Sequence, residues 1–217
     1  FGLLFSLPLW LQNVLGYSAF GTGVILLSLA VGSILASGAG GALGAKRGPV
    51  FVVQLGIFLE LLGVVGIALI ISPTTKVILI IIPLFIYGLG VGLATAQLTG
   101  VALSQIPVEK SGQASGMTST TRQIGSALGI AILGTVLFAS FGSNLRDAVP
   151  DQRLSSAIVN SAGGAIEALS RDPKNDYIVE QSKEALTQGS RTSAYVASAF
   201  LLIGWFATRS LSRKESR

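Results

Sequence analysis

The chain has 217 residues, half of them hydrophobic and 27 of them glycine, with 12% charged and Lys+Arg exceeding Asp+Glu by 15 to 10. About 25% charge is usual in a soluble domain, so a soluble globule and a disordered chain are both excluded, and lipid is the implied solvent. The lack of Cys and His excludes disulfides, thiolate nucleophiles, Cys- or His-ligated metals and imidazole bases. No G-x-x-x-x-G-K-[ST] run is present to cradle a nucleotide phosphate.

A helix needs about 20 residues to cross about 30 Å of hydrocarbon. The first apolar run, 1–15, is uncharged but short and begins abruptly. It reads as a helix lacking its first turns, and the chain as a fragment. Without a basic start or an evident cleavage site it does not read as a signal peptide. Runs at 23–43, 50–71, 77–103 and 115–141 follow, the second interrupted only by Glu60 and the fourth only by Arg122. A basic turn with Lys46 and Arg47, a polar turn around Pro73, and a turn at 105–111 separate them. Segment 142–190 carries 5 Lys/Arg and 7 Asp/Glu. It is expected to be a loop with short helices at 152–169 and 176–186. The last helix and a basic tail fill 191–217, with the uncharged stretch at 192–208.

Alternating sides place Lys46, Arg47, Lys110, Arg209, Arg213, Lys214 and Arg217 together, against Lys76 and Arg191 opposite. Basic residues in short loops favour the cytoplasm. The basic turns and C-terminus are therefore expected inside and the acidic loop outside. The tail reads as a topology anchor, and no nucleic-acid partner is expected.

Glycines at i and i+4 bring helix backbones close. The pairs Gly40/Gly44, Gly88/Gly92, Gly112/Gly116 and Gly125/Gly129 have that spacing. Glu60 lies ~15 Å deep at 1.5 Å per residue, as either a titrating site or a neutral packing acid. Arg122 cannot shed its charge. With Thr118, Thr120, Thr121, Gln123 and Ser126 it makes one helix half strongly polar, which suits a water-filled cavity; snorkelling is the alternative. Thr95, Gln97 and Thr99 give the preceding span a similar end, and Gln12 and Asn13 place amides near the end of the first. No pair of acids is set for acid/base work within a span, so polar lining is expected and a reaction centre is not. Neither an enzyme nor a cofactor is implied.

The run Leu7-Pro8-Leu9-Trp10-Leu11-Gln12-Asn13-Val14-Leu15-Gly16-Tyr17-Ser18, followed by Thr22-Gly23, resembles the first helix and outer turn in the C-terminal half of drug:proton antiporters. These form the fourteen-helix branch of the major facilitator superfamily. Gly88-Leu89-Gly90-Val91-Gly92, then 106–116, and above all Thr121-Arg122-Gln123-Ile124-Gly125 with Gly129, are similar to its next segments. The resemblance implies an all-α membrane protein: a six-helix repeat with a truncated first helix and a long extracytoplasmic loop before the last. It implies a multi-pass protein of a bacterial inner membrane, with the missing N-terminal half, small-molecule substrate and protons as partners. In that fold the first, second, fourth and fifth helices line the cavity, which implies lining roles for Gln12, Asn13, Gln97, Arg122 and Gln123 and sets Glu60 outside. Proton-coupled drug efflux is the implied function. A facilitator of another solute and a non-transporting assembly protein are the alternatives. If the charge asymmetry sets topology, a cysteine at Asn160 reacts with impermeant maleimide added to intact cells and one at Lys46 does not. The reverse labelling overturns the assignment.

Overall fold

The computed structural model describes residues 2–103 and 106–215. Phe1, Gln105 and Arg217, and the side chains of Thr99, Arg209, Arg213 and Lys214, lie outside the described residues. Every regular element among the described residues is helical: α1 (Gly2–Asn13), α2 (Ala19–Arg47), α3 (Pro49–Ile70), α4 (Val77–Leu103), α5 (Ser111–Ala148), α6 (Gln152–Asn160), α7 (Ala165–Leu169) and α8 (Asp176–Glu215), with short 3-10 turns at Val108–Lys110 and Pro173–Asn175. Helices α2, α3 and α5, and Val77–Leu98 within α4, are long and apolar enough to cross a membrane. The turn between α2 and α3 is one residue long. Gly48 takes the left-handed conformation (φ 86°) and its N–H donates to the Gly44 carbonyl, while Pro49 opens α3 at a position where its missing N–H costs nothing.

The loop expected over 142–190 is shorter than the sequence suggests. Helix α5 continues to Ala148, and the helical stretch at 176–186 is the start of α8, which runs unbroken into the last apolar segment. Val179, Ser182, Ala185, Leu186 and Gly189 are buried at helical spacing, so packing on protein, not hydrophobicity, sustains these turns. At 1.5 Å per residue α5 and α8 are about 57 and 60 Å long, nearly twice the hydrocarbon thickness. Between them Asp151 caps α6, its carboxylate accepting from the N–H groups of Arg153 (2.9 Å) and Leu154 (3.2 Å).

The chain divides into two compact units. The first comprises Phe1–Ile25, Ile67–Ile80 and Gly129–Ala197. Its fully buried side chains include Leu7, Trp10 and Leu11 of α1, Leu137, Phe141 and Leu145 of α5, Ile158 of α6, Ile166 of α7 and Leu186 of α8. An indole buried in an apolar setting needs an acceptor, and Trp10 Nε1 donates to Thr187 Oγ1 at 2.9 Å. Helices α5 and α8 touch at backbone distance: a Cβ on Gly189 would lie 2.7 Å from the Leu137 carbonyl oxygen, and Ser193 Oγ donates to the Leu133 carbonyl at 3.0 Å.

The second unit comprises Leu26–Gly66, Ile81–Leu128 and Ser198–Arg217. Here α4 meets both α2 and α3 through glycine. Gly88 and Gly92 lie against the carbonyls of Leu29 and Ser33, while Gly90 faces Gly56 and Glu60. Gly40 and Gly44 contact Gln97 across the same α2–α4 seam. The other two spaced pairs depart from the packing expectation. A Cβ on Gly112, Gly116, Gly125 or Gly129 would meet nothing within 4 Å. Spacing gives these residues a small face but says nothing of a partner, and residues 112–128 of α5 include no buried one. Conversely, Gly32, Gly56, Gly63 and Gly90 make close contacts that i, i+4 spacing does not reveal.

These contacts predict opposite outcomes for one added methyl group. In Gly90→Ala it would lie 2.5 Å from the Gly56 carbonyl oxygen and the Glu60 nitrogen, lowering stability by about 1–3 kcal/mol. Gly125→Ala meets open space and gains up to about 1 kcal/mol from helix propensity. Thermal denaturation of the two variants in detergent checks the ordering.

Candidate functional site

The first half of α5 stands out in the second unit. Gln113, Ser115, Ser119, Thr120, Thr121, Arg122 and Gln123 are exposed, together with Met117, Ile124 and Leu128. The threonine hydroxyls are satisfied on their own helix: Thr118 donates to the Ala114 carbonyl (2.9 Å), Thr120 to Gly116 (3.0 Å) and Thr121 to Met117 (2.9 Å). Such back-bonding lets a polar side chain sit on a membrane helix without a partner elsewhere. The Arg122 guanidinium has no such recourse, and no described residue pairs with it. Permanent charge, amide, hydroxyls and apolar side chains share this helix half. It offers hydrogen-bond donors and apolar contact together, but no acid/base pair.

Gln97 and Glu60 are held differently. Gln97 is half-buried and lies over α2, its Oε1 3.0 Å from where a Cβ on Gly44 would be. Its amide therefore belongs to the α2–α4 seam as well as to the polar end of α4, where Thr95 is exposed. Glu60 is half-buried on α3, and its Cγ occupies the space that the missing side chain of Gly90 leaves open, 2.8 Å from a built Cβ. Glu60 thus packs on α4.

Gln12 and Asn13 belong to the first unit. They line a cleft of about 530 Å³ with Tyr17, Ser18, Glu167, Ser170 and Lys183. Gln12 is exposed in it, whereas the half-buried Asn13 is engaged: its Nδ2 donates to the Ala162 carbonyl at 3.2 Å. Asn13 thus joins α1 to the segment between α6 and α7. Sequence reasoning left out Glu167, Ser170 and Lys183, which lie in a stretch where polarity alone signals nothing. It also left out the Trp10–Thr187 bond. The buried indole was a usable signal for that bond, since its N–H must find an acceptor.

A family model described as Major Facilitator Superfamily matches residues 1–130. The chain belongs to the Major Facilitator Superfamily. The match takes in α1 to α4 and the first half of α5, with all the candidate residues named above up to Gly129. Multidrug resistance protein Stp of Mycobacterium tuberculosis is 33% identical over 226 residues, covering 94% of this chain and 41% of the relative. Multidrug efflux pump LfrA of Mycolicibacterium smegmatis is 29% identical, covering 93% and 40%. The tetracycline resistance determinant of Streptomyces rimosus is 27% identical, covering 87% and 53%. The chain spans about two-fifths of the length of the first two. No solved structure matches. This superfamily member is an all-α, multi-pass membrane protein, as its sequence leads one to expect.

Proposed function

We propose that the chain is part of a secondary active exporter of drugs or other lipophilic small molecules, coupled to protons and working by alternating access about a site near the midplane. The observation that carries this reading is the first half of α5, where a permanent charge and a run of polar side chains are exposed on a membrane helix, with no partner for the charge among the described residues. A lipid-facing Arg at a helix centre costs about 2.5–3.5 kcal/mol on insertion scales. Facing a water-filled path between this repeat and a second one, it escapes that cost. The exposed apolar residues Met117, Ile124 and Leu128 on the same helix half suit solutes that are themselves partly apolar. The names of the relatives point the same way.

In this reading the bilayer, a second repeat, the exported solute and protons are the partners. The basic turns and the C-terminus lie in the cytoplasm of a bacterial cell. Gln97, Arg122 and Gln123 line the path at its cytoplasmic end and Gln12 at its outer end. Glu60, packed against Gly90, is a structural acid.

Arg122 is the residue to test. Arg122→Lys keeps the charge but loses the planar fork of donors, and it is expected to lower dye efflux by the full-length transporter about tenfold, as loss of one charge-assisted hydrogen bond of about 1.4 kcal/mol does. Arg122→Leu is expected to lower it at least as far with membrane insertion unchanged. Wild-type efflux by Arg122→Leu at matched expression overturns the assignment.

A further inference from the structure

Residues 149–175 form a small cap of two helices whose attachments within the first unit are unequal. Towards the core they are firm. Val149, Ser155, Ile158 and Ile166 are buried, Ile158 and Ser155 completely, and Gly163 sits against Leu186 of α8. Towards α1 the attachment is slight. A cleft of about 530 Å³ separates the α1–α2 turn from Ile166, Glu167, Ser170 and Lys183. At its edge one side-chain hydrogen bond among the described residues, from Asn13 Nδ2 to the Ala162 carbonyl, ties the cap to α1.

The geometry of that tie is unusual on both sides. Ala162 is the one described non-glycine residue with positive φ (53°), followed by Gly163 at 87°. The Gly163 N–H donates back to the Ile158 carbonyl (3.0 Å), closing the end of α6 in the manner usually given to a glycine. The left-handed alanine presents its carbonyl to Asn13, an arrangement an alanine adopts only at a cost, and such outliers gather at switching sites. One turn earlier on α1, Trp10 is fully buried and bonded to Thr187 of α8. Helix α1 is therefore anchored at Trp10 and the buried Leu11 and Val14, and Asn13 links its end to the cap, next to the left-handed Gly16 (φ 74°).

We infer that Asn13 is a positioning residue that straps the outer end of α1 to the cap, and that the strap opens and closes the adjoining cleft during the transport cycle. The Trp10–Thr187 contact is the fixed point and the turn at Gly16 absorbs the movement. This inference deepens the exporter reading and rests on it for its role in transport. The strap itself is a separate physical claim.

The test uses the full-length protein in lipid nanodiscs, with spin labels on cysteines at Ala19 and Ser170, which line the cleft from opposite sides. Their distance distribution is expected to shift to longer values in Asn13→Ala, the open population growing about fivefold, as loss of one hydrogen bond produces. Asn13→Asp keeps the size of the side chain but, ionised, cannot donate, and it is expected to shift the distribution as far. An unchanged distribution in Asn13→Asp overturns the strap, whatever the efflux. A second arm joins Asn13→Cys to Gly163→Cys, because a Cβ on Gly163 lies 3.3 Å from that of Asn13, close to the 3.5–4.5 Å of disulfides. The left-handed Gly163 and the Leu186 side chain 3.0 Å from that Cβ strain the substitution, so the unfolding temperature of the reduced variant is matched to the unsubstituted protein first. Oxidation is expected to halt dye efflux and thiol reductant to restore it. Equal efflux when oxidised and reduced overturns the strap's part in transport. Absence of efflux in the reduced and the unsubstituted protein contradicts the exporter reading, while the spin-label distances still decide the strap.

Discussion

Close backbone approach at glycine is the contact on which the rest of the second unit depends. Between helices in lipid, apolar side chains gain little by touching each other rather than acyl chains, so association falls to van der Waals packing and short polar contacts. Helix α4 has what this needs on two faces. Gly88 and Gly92 lie on the carbonyls of Leu29 and Ser33 of α2, and Gly90 lies on Gly56 and Glu60 of α3. The core formed by Ala36, Val52 and Leu93 packs beside these seams. A side chain at any of those glycines would force the helices apart.

With α2, α3 and α4 held in this way, α5 is left with two unlike halves. The half that belongs to the first unit is packed: Leu133, Leu137, Phe141 and Leu145 are buried, and Gly189 and Ser193 of α8 reach its backbone. The half that belongs to the second unit is polar and has no buried residue from 112 to 128. One continuous helix is thus packed at one end and exposed at the other.

The spans were legible because lipid imposes a crude length and polarity rule, and α3 and α4 fall within about a residue of the apolar runs that announce them. The segment after α5 was less so. Residues 142–148 and 176–190 are too polar to cross lipid, and hydropathy gives no sign that they are turns of α5 and α8 sustained by packing on protein. The glycines were half legible. Spacing identified Gly88 and Gly92 but equally selected Gly125 and Gly129, because a small face on one helix carries no record of what lies opposite. Of the candidate residues, the exposed Arg122 and Gln123 sit where a polar helix half suggests. Asn13 is tied to Ala162 instead, a contact across 149 positions that no local pattern encodes.

The account turns on water reaching the first half of α5. The direct measurement is a cysteine scan over 113–123 in inside-out vesicles of the full-length protein, read by reaction with a membrane-impermeant maleimide. The account predicts reaction at Thr120 and Gln123, slowed when the exported dye is present. An unreactive helix half, shielded as a lipid-embedded segment is, would contradict it.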